Sequence, residues 1–424
     1  MKYSGIKWIG EIPDNWNVRK VKQCFYISKE QAHEENPIIL SLARAGVKVR
    51  DISNNEGQLA ASYDNYNPVM PGDLLLNPMD LYSGANCSLS EVSGVISPAY
   101  INLRKKVELN PKFYDYYFKT QYWAMAMFAH GKGVSFDNRW TMNAETLLNY
   151  YLPFTSSDVQ DKIVDLINKK TAEIDSLIEI ENQQIEKLKE YVESSIYEYL
   201  KKELGVSIND MSFESRTPMK KIGALSNLVT KQTGFDYSNT IKPTMLDNPN
   251  EDSLPYLQTR NFKNNYFNLN TEFYVPKSTW EQFPKLILDD ETLLFSIVGA
   301  SIGNVVIFPK SEKAFLGGAI CRVNLVDKEY ALFIKEIMLS KFGQEQINRK
   351  INSNAQGTIT VQNVRDFLIP MPSKKDAVRI GQKCESMRKE VDDLITIKEK
   401  KIDELTEYKK SLIYEYVTGK KEVC

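Results

Sequence analysis

Ile185-Glu186-Lys187-Leu188-Lys189-Glu190-Tyr191 lies over Ile402-Asp403-Glu404-Leu405-Thr406-Glu407-Tyr408, and Ile196-Tyr197-Glu198-Tyr199 over Ile413-Tyr414-Glu415-Tyr416, at one offset of 217 positions. The offset runs back without a gap through Asp175/Asp392, Ile174/Val391, Ile163/Ile380 and Pro153/Pro370. Amphipathic helices share apolar positions by chance, but not Tyr-Glu-Tyr and a preceding proline as well. The chain is read as a duplication, and such self-similarity governs the fold.

Each copied segment reads as a long helix. Apolar residues recur with three-and-four spacing at Ile163, Ile167, Ile174, Ile178, Ile185, Leu188, Val192 and Ile196. The second copy gives Ile380, Cys384, Met387, Val391, Ile395, Ile402, Leu405, Leu412 and Tyr416. No Pro or Gly interrupts Asp158 to Leu204, so the first helix extends for about 70 Å at ~1.5 Å per residue. A stripe of that length needs a partner, and its duplicate supplies one as an antiparallel coiled coil. Ile174, Leu177, Ile178, Ile185 and Leu188, with Val391, Leu394, Ile395, Ile402 and Leu405, are the expected helix-pair and partner interface.

A mixed region precedes each helix, with the same order of elements in both. A strand within Gly72–Asn77 matches Asp290–Ser296, and Ala99–Leu103 matches Ala319–Val323. A helix follows in each, from about Lys112 to Ala129 and from about Lys328 to Arg349, then a polar loop and a closing strand near Pro153 or Pro370. The expected class is α+β: two mixed α/β domains, 1–155 and 216–372, separated by two long helices, 156–215 and 373–424, with an internal pseudo-twofold repeat.

Composition removes several classes of function. Of 424 residues, 42% are apolar and 26% charged, which excludes a wholly disordered chain. No apolar run approaches the roughly 18 residues of a membrane span, and the opening residues lack the apolar core of a secretory signal, so a cytoplasmic protein without membrane contact is expected. Cys24, Cys87, Cys321, Cys384 and Cys424 form no close pair, arguing against a zinc ribbon or a disulfide scaffold. With only His33 and His130, no metal site is expected. The net charge of −1 hides an asymmetry: residues 156–215 carry 7 basic and 14 acidic side chains, while residues 216–372 carry 18 and 15. The first long helix is therefore a poor surface for phosphate, and the mixed domains are mildly basic.

Catalytic signatures are missing, and no catalytic residue is assigned. There is no phosphate-cradling Gly-x-x-x-x-Gly-Lys-Ser/Thr and no Gly-x-Gly-x-x-Gly. Asn77-Pro78-Met79-Asp80 is similar to the Asn-Pro-Pro-aromatic grip of amino-methyltransferases, but the stacking aromatic and a cofactor loop are absent. Binding features are better represented. Gly131-Lys132-Gly133 is followed by Asn138-Arg139-Trp140, which places an arginine fork, an amide and an aromatic on one loop. Arg44, Lys48 and Arg50 cluster around Gly46, and Tyr82 and Asn86 sit on the loop after the first buried strand. The second half offers Gln258, Thr259, Arg260, Asn261 and Lys263, then Ser301 and Asn304, then Asn354, Gln356 and Thr358. All of these are candidate DNA contacts, because equivalent places in both halves are polar and basic.

The whole plan resembles the DNA-specificity (S) subunit of type I restriction–modification systems. Ser4-Gly5-Ile6-Lys7-Trp8-Ile9-Gly10-Glu11-Ile12-Pro13 is similar to that family's opening, Thr171-Ala172-Glu173-Ile174-Asp175-Ser176-Leu177-Ile178 to its central spacer, and Glu407 through Lys420 to its C-terminal spacer. The resemblance implies two target recognition domains, each reading half of an interrupted double-stranded DNA site, with the paired helices as the ruler between them. It implies as partners two modification subunits, which bind S-adenosylmethionine and methylate adenine, and two restriction subunits that use ATP and Mg; no cofactor belongs to this chain. Two other readings stand against it. A self-contained DNA methyltransferase needs a cofactor loop and an intact base-gripping motif. A coiled-coil scaffold displaying two ligand-binding domains needs no basic loops at matching places.

Overall fold

The computed structural model describes residues 1–30, 37–51, 62–79, 81, 87–133, 140–208, 212–351 and 357–423. The chain divides into two units, Met1–Glu181 with Lys400–Cys424, and Asn182–Glu399. Each contains a mixed domain and its own share of both long helices, Ser157–Leu204 and Lys374–Val417.

In the first unit an antiparallel sheet runs in the order Phe25–Ile27, Ile101–Lys105, Leu74–Leu76, Cys87–Leu89. Leu103 lies opposite Ile27 on one side and Leu74 on the other. The helix Pro111–Trp123 begins where the Asn110 side chain accepts from the Lys112 amide, with proline in the first turn. It buries Phe113, Tyr114, Tyr117 and Phe118. The same core takes Ile163, Val164 and Ile167 from the first long helix and Leu412, Ile413, Tyr416 and Val417 from the second. The helix stops short of the expected Ala129 because Met125 adopts a left-handed φ of 55°. Tyr151–Phe154 closes the domain against Asn17–Lys20, with Pro153 opposite Val18. The opening segment is pinned by the far end of the chain: Lys420 Nζ donates to the carbonyls of Ile9 and Glu11 at 3.1 and 3.3 Å. Gly419, at φ 71°, lies so close to Pro13 that a Cβ would meet its ring at 2.4 Å.

The second unit repeats this order as Ser226–Lys231, Ile320–Leu325, Thr292–Ser296, Val305–Phe308. Leu368–Pro370 closes it against Met219–Lys221. The helix expected from Lys328 to Arg349 is two, Ala331–Leu339 and Lys341–Asn348. Ser340 turns the chain with extended backbone at φ −71°, ψ 163°, its hydroxyl donating to the Ile337 carbonyl at 2.6 Å. Gly343 permits the tight fold-back, since a Cβ there would lie 2.3 Å from Met338 Cα.

The long helices pair antiparallel within each unit. In the first, Lys409 bonds Asp175 and Lys401 bonds Glu181, both at 2.6 Å. In the second, Lys398 bonds Gln184 and Arg379 bonds Glu203, the latter at 2.6 Å. As numbers rise along one helix they fall along the other. Ile174, Ile185, Val391 and Ile395 are buried in the seam, while Ile178, Leu188, Ile402 and Leu405 are half-buried. Leu177 and Leu394, in contrast, are each 48% exposed. With Ile180 and Tyr191 on one helix and Ile397 and Tyr408 on the other, they form a second apolar row outside the seam, repeated at the same offset of 217.

The second unit carries buried charge where its helix Ala331–Leu339 meets the second long helix. Glu336, 1% exposed, accepts two bonds from the Arg388 guanidinium at 3.1 Å. Removing Arg388 leaves that carboxylate only the buried Lys335 ammonium at 3.4 Å, which also pairs with Glu385, so Arg388→Ala costs about 3–5 kcal/mol of stability. Lys409→Ala, which breaks an exposed pair, costs no more than about 1 kcal/mol; urea unfolding of both variants checks the contrast. Asp392 has its carboxyl pushed above the usual range, first by burial, with Arg388 opposing. The folded state thus holds this proton longer than the unfolded chain, and stability falls as pH rises through the carboxylate range. Asp392→Asn raises Tm at pH 7, and the gain vanishes in acid, where the wild-type carboxyl is protonated in both states.

Candidate nucleic-acid interface

Two loops meet at the same place in each unit. In the first, the segment after Leu74–Leu76 meets the segment before the closing strand: the Met142 amide donates to the Pro78 carbonyl at 2.9 Å and the Leu81 amide to Trp140 at 3.2 Å. In the second, the Ile359 amide donates to Ile297 at 3.0 Å and the Gly299 amide to Gly357 at 3.1 Å. Met142 and Ile359 are again 217 positions apart. The fold therefore presents a paired loop surface twice, built from backbone hydrogen bonds that leave side chains unspecified.

The first unit places its candidate residues on two such surfaces. Arg44 and Lys48 are exposed and Arg50 half-buried on the hairpin Leu40–Ala43/Gly46–Val49, which turns tightly because Gly46 sits at φ 117°. Lys132 is exposed and exchanges both backbone bonds with Thr141, at 2.8 and 3.0 Å. Trp140 is an anchor: half-buried, it stacks on Phe128 at 5.3 Å and donates its indole N–H to the Phe128 carbonyl at 2.8 Å. Gly131 makes that packing possible, since a Cβ would lie 2.5 Å from the indole nitrogen. Tyr82, Asn86, Asn138 and Arg139 lie outside the described residues. Asn77 holds a local turn, its carbonyl oxygens accepting from the Met79 amide at 3.0 Å and the Tyr122 hydroxyl at 2.6 Å.

In the second unit Thr259–Asn261 forms a single 3-10 turn leading into the hairpin Phe262–Lys263/Tyr266–Phe267. Asn264 and Asn265 make the hairpin turn at φ 51° and 62°, a left-handed pair that asparagine tolerates. Asn261 is 1% exposed and wholly engaged: its carbonyl accepts from the Gln258 amide at 2.8 Å, and its amide donates to Asn268 and Asn270 at 2.9 and 2.6 Å. Buried in this way, it sets the loop's shape and offers no group to a ligand. Arg260 and Lys263 are exposed, Arg260 pairing with Glu272 at 2.8 Å. Gln258 and Thr259 line a cleft of about 430 Å³ on one side of the sheet. Ser301 bonds Ser296 at 2.7 Å, Asn304 closes the same turn, and Thr358 bridges to Val298 beside it. The fold thus brings Ser301, Asn304 and Thr358 together; Asn354 and Gln356 lie outside the described residues.

Two features of this surface were not singled out in the sequence. Gln232 forms part of the cleft floor, and Phe235, next in sequence to the lining residue Gly234, stands exposed. An isolated Phe in Thr-Gly-Phe-Asp carries no periodic signal, and nothing local marks Gln232 for burial. Among the described residues no three His, Cys, Asp or Glu side chains gather as a metal site, and no helix is long and apolar enough to cross a membrane.

The two residues so similarly placed in the loop behave oppositely on truncation. Asn261→Ala leaves three backbone groups without partners and costs about 1–3 kcal/mol. Arg260→Ala stays within about 0.5 kcal/mol of wild type. Urea unfolding, with hydrogen exchange of the Asn268 and Asn270 region, checks this.

Comparison with known proteins shows what this chain is similar to. Residues 230–407 match the model described as the type I restriction modification DNA specificity domain. The chain is 21% identical over 380 residues to the type I restriction enzyme MjaVIII specificity subunit of Methanocaldococcus jannaschii, covering 83% of this chain and 80% of that one. Its fold is similar, at TM-score 0.68 and 11% identity over 96% of this chain and 98% of the other, to a chain solved in work on complex assembly and conformational transition of the type I R-M system. The second half thus matches a type I restriction modification DNA specificity domain, the first repeats its strand order and loop pairing, and the chain as a whole is similar to a type I specificity subunit.

Proposed function

We propose that residues 1–155 and 216–372 are two target recognition domains, each reading one half of an interrupted DNA site. The reading is carried by the paired loop surface that recurs in both units on an identical strand order. Two copies of one binding plan suit two half-sites better than one continuous site. Exposed Arg44, Lys48, Lys132, Arg260 and Lys263 supply cations of the kind that hold phosphate or read guanine, with Arg50, Gln258, Thr259, Ser301, Asn304 and Thr358 nearby.

The chain itself performs no chemistry in this proposal. Modification subunits supply S-adenosylmethionine and methylate adenine, which must leave the base stack to react. Restriction subunits supply ATP-driven and Mg-dependent cleavage. The exposed apolar rows of Leu177, Ile180 and Tyr191 and of Leu394, Ile397 and Tyr408 are the docking faces for two modification subunits, since repeated apolar patches at one offset suit two copies of one partner. The complex works in the cytoplasm, on double-stranded DNA. The self-contained methyltransferase is disfavoured by Asn77, whose carbonyl oxygens are held within a turn.

The test is modification mapping. The chain is co-expressed with its modification subunits in a host without adenine methylation, and marked adenines are sequenced. A single bipartite motif is expected. Replacing residues 216–372 with another member's second domain changes one half-site and leaves the other intact; a change in both rejects the modular reading.

A further inference from the structure

The cleft of the second unit has a polar floor. Its floor includes Gln232 and the stacked rings of Tyr237 and Tyr256, whose centroids lie 6.3 Å apart. Gln232 is 2% exposed and spends its carbonyl on the Tyr256 hydroxyl at 2.9 Å, while its amide nitrogen has no partner among the described residues. A buried amide donor is costly to leave unpaired, so the floor is suited to a group that brings an acceptor. Beside the lining residue Gly318, Gly317 packs against the Leu257 carbonyl so closely that a Cβ would meet it at 1.9 Å.

Phe235, next in sequence to Gly234 of the cleft lining, has 76% of its surface exposed. It is not on a floppy tip. Thr233 accepts from the Asp236 amide at 3.1 Å and donates to the Asp236 carboxylate at 2.6 Å, and Asn239 donates to the Phe235 carbonyl at 3.1 Å. A ring held rigidly in water loses hydration free energy and gains nothing within this unit. Exposed Lys231 lines the same cleft four residues before it, and exposed Lys242 follows seven residues later. An exposed aromatic ring on a pinned turn, adjoining in sequence a polar cleft lined by a lysine, suits what a duplex offers: phosphate outside, stacked rings and base edges inside.

We propose that Phe235 is the residue with which the second recognition domain enters its DNA half-site, stacking on an exposed base or wedging a base step, with Lys231 on the adjoining phosphate and the Gln232 cleft behind taking a base edge. The inference rests on the DNA-reading function proposed above and names residues for it.

The experiment uses the full chain assembled with its modification subunits, and its probe is a duplex carrying the site that the wild-type complex marks. Phe235→Ala is expected to bind that duplex about ten-fold or more weakly, with Tm and subunit assembly unchanged because the ring is exposed. Phe235→Trp restores binding. 2-Aminopurine in the half-site assigned to residues 216–372 brightens on binding with Phe or Trp at position 235 and stays dark with Ala. Lys231→Ala weakens cognate and random duplexes alike and lowers the salt slope by about one. Wild-type affinity in Phe235→Ala, or loss of the modification subunits from that variant, overturns the inference, the second outcome making Phe235 a protein contact. If the wild-type complex marks no defined site, the DNA-reading function itself fails and takes this inference with it. A wild type that marks a site, with Phe235 variants indifferent to it, removes the inference alone.

Discussion

The seam between the two long helices is the constraint on which both units depend. Each helix offers an apolar row longer than a mixed domain can cover, and each row finds its cover on the other copy. The first unit shows the consequence most directly, because its core holds Ile163 and Ile167 from one helix and Leu412, Ile413 and Tyr416 from the other. Those last three come from the far end of the chain. Bringing them to the sheet costs loop entropy before any contact repays it, so this unit completes its core only when the helices have paired.

The same constraint explains why two separate stretches resemble one family so clearly. The opening segment Ser4–Pro13 and the closing stretch Glu407–Lys420 are in contact: Lys420 holds the Ile9 and Glu11 carbonyls, and Gly419 packs on Pro13. Each fixes the other's sequence through packing, with no chemistry required. Polar partners are freer to diverge between the copies. Asp73 takes two bonds from Arg104, whereas Thr292, at the same register position in the second sheet, donates its hydroxyl to Asn324. Asp175 pairs with Lys409, but the position duplicating Lys409 is Val192, so Asp392 lacks the equivalent lysine. Strand order survives this exchange because it is set by the apolar pattern.

Much of the architecture was legible for the same reason. Periodicity and the 217 offset located both long helices, the central strands and the closing strands, since each is dictated by burial along a regular element. What sequence misplaced was decided by contacts distant in the chain. Nothing in Lys328–Arg349 announces that Ser340 will turn the backbone. Trp140 read as a presented aromatic, and its indole is instead tied to Phe128. Asn261 and Arg260 are neighbours of similar polarity, yet one is buried in the loop it holds and the other points to solvent. Phe235 gave no signal at all, because exposure of a lone aromatic is a property of the folded surface.

That failure has a physical source that bears on how such a surface works. The loops are held by backbone bonds, as between Lys132 and Thr141 or Ile297 and Ile359, and by a few anchoring side chains such as Trp140, Asn261 and Gln344, which donates to the carbonyls of Gly303 and Met338. Side chains that face outward contribute little to this, and substitutions at such positions change stability by no more than about 0.5 kcal/mol. A scaffold of this kind keeps its loops in place whatever residues they display. Specificity can then be rewritten at the exposed positions without cost to the fold, and those are the positions for which folding rules supply no information.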